Sequence, residues 1–160
     1  MDFHIAGVIA SVLILLPNLL FMAYPPEDMP LHNGKAPLWL TVVENIGRFT
    51  CLIYPIIFGA DTAIAITSGS IIVYLMAAFI LAYYILWARY FAHGRTFKLL
   101  FRPLFFIPVP MAVFPTAYFL VLSLLLQSPM KATAAVVFAA GHIPISLMTY
   151  RQLQKDGRAV

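Results

Sequence analysis

The chain has 160 residues, of which 62% are hydrophobic and 10% charged, with a net charge of +4 and a mean hydropathy of +0.92. Soluble domains carry about 25% charged residues, so this composition leaves too little polar surface for a water-facing globule and points to the membrane class. The positive balance is not a nucleic-acid footprint, because the basic residues sit beside apolar runs rather than on a basic and aromatic surface.

A helix needs about 20 apolar residues to cross a hydrocarbon layer of ~30 Å, and five stretches qualify. The first is 4–24. It begins in MDFHIAGVIA, which lacks the basic start of a signal peptide, so it is expected to stay in the mature protein. The link PPEDMPLHNGKAP follows and is rich in turn formers. The second span is 38–59 and the third is 70–92, separated by the short link ADTAIAITSGS. HGRTFKLLFRP is a basic link. The fourth span is 104–126, QSPMK is a tight turn, and the fifth span is 132–150. The expected fold is all-α: one membrane domain over residues 1–160, a transmembrane bundle of five helices with no room for a soluble domain.

Basic residues concentrate on the cytoplasmic side of a membrane protein. With the N-terminus outside, that side holds Lys35, Arg89, Arg95, Lys98, Arg102, Arg151, Lys155 and Arg158, and the outer side holds Lys131. The expected topology is therefore N-terminus outside, C-terminus cytoplasmic. Trp39, Trp87, Tyr24 and Tyr90 fall near the cytoplasmic ends, where aromatic belts form.

The second span carries Glu44, Asn45 and Arg48 within an apolar run. Glu44 and Arg48 are four residues apart and share one helix face. Thr41, Cys51 and Pro55 continue that face, while Leu40, Val43, Ile46, Ile53 and Ile57 form the other. At 1.5 Å per residue from Leu38, Glu44 lies about 9 Å deep and Arg48 about 15 Å. A charge at the bilayer centre costs about 2.5–3.5 kcal/mol on insertion scales, so the pair is there for a reason. One reading is an internal ion pair that fixes helix packing, with Asn45 as interhelical glue. The other is a ligand-binding, ion or proton-linked site.

Several side chains at similar depth are candidates to join that site: Asn18, His142, and, as lining, Tyr83, Tyr84 and Tyr118. His142 follows Ala139, Ala140 and Gly141, whose small size suits close helix packing, and Pro144 frees a backbone carbonyl near Ala140. It either bonds a backbone group or handles a proton near Glu44. Pro108, Pro110 and Pro115 in the fourth span either bend it statically or open a cavity towards Thr116 and Tyr118. Arg95, Lys98 and Arg102 alternate with aromatic and aliphatic residues, either as a positive-inside anchor or as a lipid-phosphate contact. The four histidines (His4, His32, His93 and His142) are scattered and the single cysteine is Cys51, so no metal site is expected. No nucleotide, cofactor or nucleophile motif is present.

ILLPNLLFMAYPPEDMP leading into LTVVENIGRFTC resembles small uncharacterised multi-pass membrane proteins of Gram-positive bacteria. The Pro-Asn in the first helix, the proline-rich cytoplasmic loop and the Glu-x-Ile-Gly pattern carry the resemblance, which covers about the first third of the chain. It implies a bacterial plasma membrane and no particular activity.

The functional expectation is a small molecule or ion bound or transported at an inward polar site. There Glu44 would be a proton-linked acid or cation contact, Arg48 its partner, and Asn18, Asn45 and His142 orienting groups. A non-catalytic subunit of a larger membrane complex, or a homo-oligomer, is the alternative. A membrane-embedded enzyme acting on a lipid or isoprenoid is the third reading. It requires Glu44 and His142 within reach of one substrate.

Overall fold

The computed structural model describes residues 5–29, 36–58 and 71–155. His4, His32, Lys35, the 60–70 link and Arg158 lie outside the described residues. The described residues form five α-helices: α1 (Ile5–Ala23), α2 (Leu38–Ile57), α3 (Ile71–Ala92), α4 (Pro110–Leu125) and α5 (Pro129–Lys155). A short 3-10 turn covers Phe97–Leu100. Three helices, α2, α3 and α5, are long and apolar enough to cross a membrane, and α1 and α4 contribute the shorter apolar stretches Gly7–Ala23 and Pro110–Leu125.

The core is mainly apolar, but the surface differs from that of a water-soluble domain. Ser11, Glu44, Thr116, Ser123, Lys131 and Ser146 are buried, whereas Ile9, Leu19, Ile46, Phe49, Leu81, Ile85 and Val136 face outwards. Large exposed apolar surface of this kind marks contact with another apolar phase. The helices supply their own backbone hydrogen bonds, as a hydrocarbon environment demands.

The spans expected at 38–59 and 70–92 match α2 and α3 closely. The fourth differs: a helix expected from 104 begins at Pro110. The reason is local. Arg102, Ile107 and Val109 each precede a proline, which disfavours the helical conformation, while Pro110 itself suits a first helical turn. The intervening chain makes a tight turn closed by the Leu104 and Ile107 backbones, 3.0 Å in each direction. Phe105 and Phe106 stand fully exposed at its tip. The fifth helix is longer than the expected 132–150. It opens at Pro129 and runs through the polar RQLQK to Lys155.

The helices close into a ring: α1 packs on α2, α2 on α5, α5 on α4, α4 on α3, and α3 lightly on α1. The α2–α5 seam is the tightest, and two glycines make it so. A Cβ on Gly47 would overlap the Phe138 backbone, and one on Gly141 would stand 2.6 Å from Glu44 Cα. The loop after α1 meets the loop after α3. Glu27 N–H donates to Arg95 O at 3.2 Å, Phe97 N–H donates to the Asp28 carboxylate, and Glu27 pairs with Arg95.

Prolines inside helices shape the rest. Each removes a backbone donor and frees the carbonyl four residues earlier. For Pro17 that carbonyl is Leu13 O, and the Tyr84 hydroxyl donates to it at 2.9 Å. For Pro55 it is Cys51 O, and Lys131 Nζ donates to it at 3.3 Å. Ser11 reaches the next carbonyl, Leu52 O, at 2.7 Å. Neighbouring helices therefore satisfy groups that the bends expose.

Candidate functional site

Glu44 sits on the buried stripe of α2, with Leu40, Gly47, Cys51 and Pro55. Steps of three and four residues place these on one face. The missing Cβ at Gly141 lets α5 approach until His142 Nδ1 lies 2.8 Å from Glu44 Oε1. Arg48, one turn along α2, pairs with the same carboxylate. The His142 ring stacks on Phe138 at 4.9 Å and 17°, and the Arg48 guanidinium stands 5.9 Å from the centroid of that same ring. Glu44 is 7% exposed, so its charge is met by directed partners, as a buried carboxylate requires.

This geometry has a chemical consequence. With Glu44 ionised beside Arg48, Nδ1 of His142 carries a proton and donates it to the carboxylate. In a neutral imidazole the other nitrogen, Nε2, is then a hydrogen-bond acceptor. Among the described residues Nε2 has no partner.

His142 also lines a half-open cavity of about 150 Å³ between α1, α3, α4, α5 and the loop before α4. Asn18, Tyr83, Trp87 and Ser146 supply its other polar or amphipathic surface, and Leu100, Phe101, Val109, Met111 and Ala112 supply apolar wall. Four helices and the 97–101 turn thus contribute. Asn18 Nδ2 donates to the Tyr83 hydroxyl at 3.0 Å and to Ile14 O at 2.8 Å, which fixes both side chains. The Trp87 indole is perpendicular to Tyr83, with centroids 6.1 Å apart. Among the described residues its N–H is buried without an acceptor, and so is Arg89 Nε.

No protein-family model matches the chain, and no curated protein or solved structure matches it. The site is therefore read from its own geometry.

That geometry sorts the sequence-derived candidates. Glu44, Arg48 and His142 come together directly, and Asn18 and Tyr83 join His142 around the cavity. Asn45 does not: it is exposed and makes no hydrogen bond among the described residues. One residue along a helix is a rotation of about 100°, enough to turn Asn45 away from the face that Glu44 occupies. Tyr84 and Tyr118 serve α1 instead, bonding Leu13 O at 2.9 Å and Ala10 O at 3.4 Å. Thr116 bonds back to its own helix at Ala112 O and Val113 O, so the cavity opens beside Ala112 and not beside Thr116. Arg95 is engaged by Glu27 and lies 5.9 Å from the Tyr24 ring centroid, while Lys98 and Arg102 are exposed.

Three residues emerge that the sequence reading assigned elsewhere or passed over. Trp87, expected in the interfacial belt, is buried in the core with Tyr90, whereas Trp39 and Tyr24 are exposed. Ser146 lines the cavity one turn beyond His142. Their signal was spacing: Trp87 is four residues from Tyr83, and Ser146 four from His142, which places each pair on one face. Lys131, expected as an outer flanking charge, is fully buried, bonding Cys51 O and lying 5.5 Å from the Phe119 ring centroid. Among the described residues no group of three or more His, Cys, Asp or Glu side chains gathers as a metal site would need.

Proposed function

We propose that this chain is an integral protein of a bacterial plasma membrane that binds a small molecule in the cavity beside His142. The carrying observation is that His142 joins the two features: it lines the cavity and is held by Glu44 at 2.8 Å. Intramembrane ionisable residues are costly and mark functional sites by default, and an apolar cavity with a few convergent polar groups is the usual form of a small-molecule site. In this reading His142 contacts the ligand. Glu44 acts through it, setting its tautomer and orientation, and Arg48 balances the Glu44 charge. Proton-linked transport is the natural extension, with the Glu44–His142 pair as the proton-holding unit.

Five spans with the N-terminus outside fit this function. Arg89, Arg95, Lys98, Arg102, Arg151 and Lys155 fall towards one end of the bundle, where the loops after α1 and α3 bind each other. At the other end, the Lys131 side chain is withdrawn into the protein. The positive-inside bias supports a cytoplasmic C-terminus. Lys98 and Arg102 are the groups best placed for lipid phosphates.

Native mass spectrometry of the detergent-purified full chain tests the binding reading. A small adduct on the wild-type protein, lost in Ser146→Leu, which fills the cavity, is the expected result. Absence of any adduct with a stoichiometric protein partner instead would favour the accessory-subunit reading.

A membrane-embedded enzyme is the second reading: Glu44 and His142 are 2.8 Å apart, and an oriented imidazole at a cavity is the arrangement of a general base. Turnover of a lipid or isoprenoid substrate, abolished by His142→Gln, would establish it.

A further inference from the structure

We infer that the molecule held in this cavity is small, uncharged and carries a hydroxyl group on an apolar body. This deepens the binding reading above and rests on it.

The charge of the ligand follows from the wall. Among the described residues no Asp, Glu, Lys or Arg side chain lines the cavity, and the nearby carboxylate of Glu44 is already occupied by Arg48 and His142. A charged ligand would meet no counter-charge on this wall, and whatever hydration it shed on entry would go uncompensated. The size follows from the volume. About 150 Å³ is available, the scale of a cavity that accommodates benzene. Leu100, Phe101, Val109, Met111 and Ala112 provide the apolar contact.

The hydroxyl follows from the acceptor and donors on this wall that are unpartnered among the described residues, the acceptor His142 Nε2 and the donors Ser146 and Trp87 Nε1. His142 Nε2 and Ser146 Oγ make no hydrogen bond among the described residues, and both side chains line the cavity. Ser146 is 9% exposed and lines the cavity. The two residues are one helical turn apart, with Cβ atoms about 5–6 Å from each other. With Nδ1–H donated to Glu44, Nε2 is an acceptor whenever the ring carries a single proton. Ser146 can donate. A ligand hydroxyl satisfies both at once: its O–H donates to Nε2 and its oxygen accepts from Ser146. A carbonyl can accept from the donors Ser146 and Trp87 Nε1 but leaves Nε2 unmet, and a hydrocarbon satisfies none of them.

Three probes of matched size separate these cases: cyclohexanol, cyclohexanone and methylcyclohexane, with acetate as the charged comparison. Each is titrated into the full-length Trp39→Phe protein in micelles, where Trp87 in the cavity wall is the fluorescent reporter. Saturable binding is expected in the order cyclohexanol, cyclohexanone, methylcyclohexane. At least one hydrogen bond separates neighbours in that order, each bond a step of about three- to tenfold in affinity. Ser146→Ala, a small truncation, weakens cyclohexanol by a similar factor and leaves methylcyclohexane unchanged. Cyclohexanone binding as tightly as cyclohexanol overturns the hydroxyl assignment, as does equal binding of the hydrocarbon. Acetate binding tightest overturns the uncharged class. A native small-molecule adduct in mass spectrometry with no response to any probe sinks this inference alone, and absence of both sinks the binding reading with it.

Discussion

Gly141 and Glu44 pack backbone against backbone, so closely that a Cβ at 141 would stand 2.6 Å from the Glu44 Cα. This contact brings His142, the next residue, within hydrogen-bond distance of the Glu44 carboxylate. Gly141→Ala is therefore expected to force α2 and α5 apart and to destabilise the protein by about 1–3 kcal/mol, the usual cost of overpacking. Thermal unfolding in detergent measures it. An unchanged melting temperature would mean that the seam is looser than described.

Arg48 and His142 share the Glu44 carboxylate, so removing Arg48 leaves a buried charge under-compensated. Arg48 is partly exposed, with 41% of its side chain accessible, which moderates the loss. Arg48→Met is expected to cost about 1–3 kcal/mol. Neutralising its partner as well, in Arg48→Met with Glu44→Gln, should recover part of that loss because no unpaired charge remains. Additive losses in the double variant would rule out direct coupling.

Lys131 takes the place of the backbone donor that Pro55 lacks, through its bond to Cys51 O at 3.3 Å. Pro55→Ala restores an N–H to that carbonyl. Lys131→Met should then be less harmful in the Pro55→Ala background than in wild type, with a coupling energy of about 1 kcal/mol. Zero coupling in the double-mutant cycle would show that Lys131 is buried for another reason.

Trp39 and Trp87 are expected to report different surroundings, since they are 65% and 7% exposed. Fluorescence of Trp87→Phe, in which Trp39 remains, should be strongly quenched by acrylamide. Fluorescence of Trp39→Phe, in which Trp87 remains, should be blue-shifted and resist quenching. Similar quenching of both would place Trp87 at the surface.

These two tryptophans also show what sequence could and could not reveal. Both lie near the same predicted membrane face, which hydropathy places at the ends of long apolar runs with few charges. Hydropathy does not report helix rotation. Rotation decides that Trp87 enters the core while Trp39 stays outside, and it separates buried Glu44 from exposed Asn45. The Glu44–Arg48 pair was legible because it lies within one helix. The Glu44–His142 contact spans 98 residues of chain and depends on helix order, although Gly141 carried a hint of it. The late start of α4 was written in Pro103, Pro108 and Pro110, whose restrictions on the residues before them outweigh the apolar character of that segment. Lys131 misled because a lysine at a span end ordinarily meets the interface. Its true role depends on a proline-freed carbonyl on another helix.

The most direct test of a functional Glu44–His142 site is the thermal stability of purified wild-type and Glu44→Gln protein against a panel of ions, pH values and metabolites. A ligand or pH step that stabilises wild type, with the effect lost in Glu44→Gln, is the predicted result. If nothing in the panel stabilises wild type and Glu44→Gln simply melts at a lower temperature, Glu44, Arg48 and His142 are a structural network and the binding proposal is contradicted.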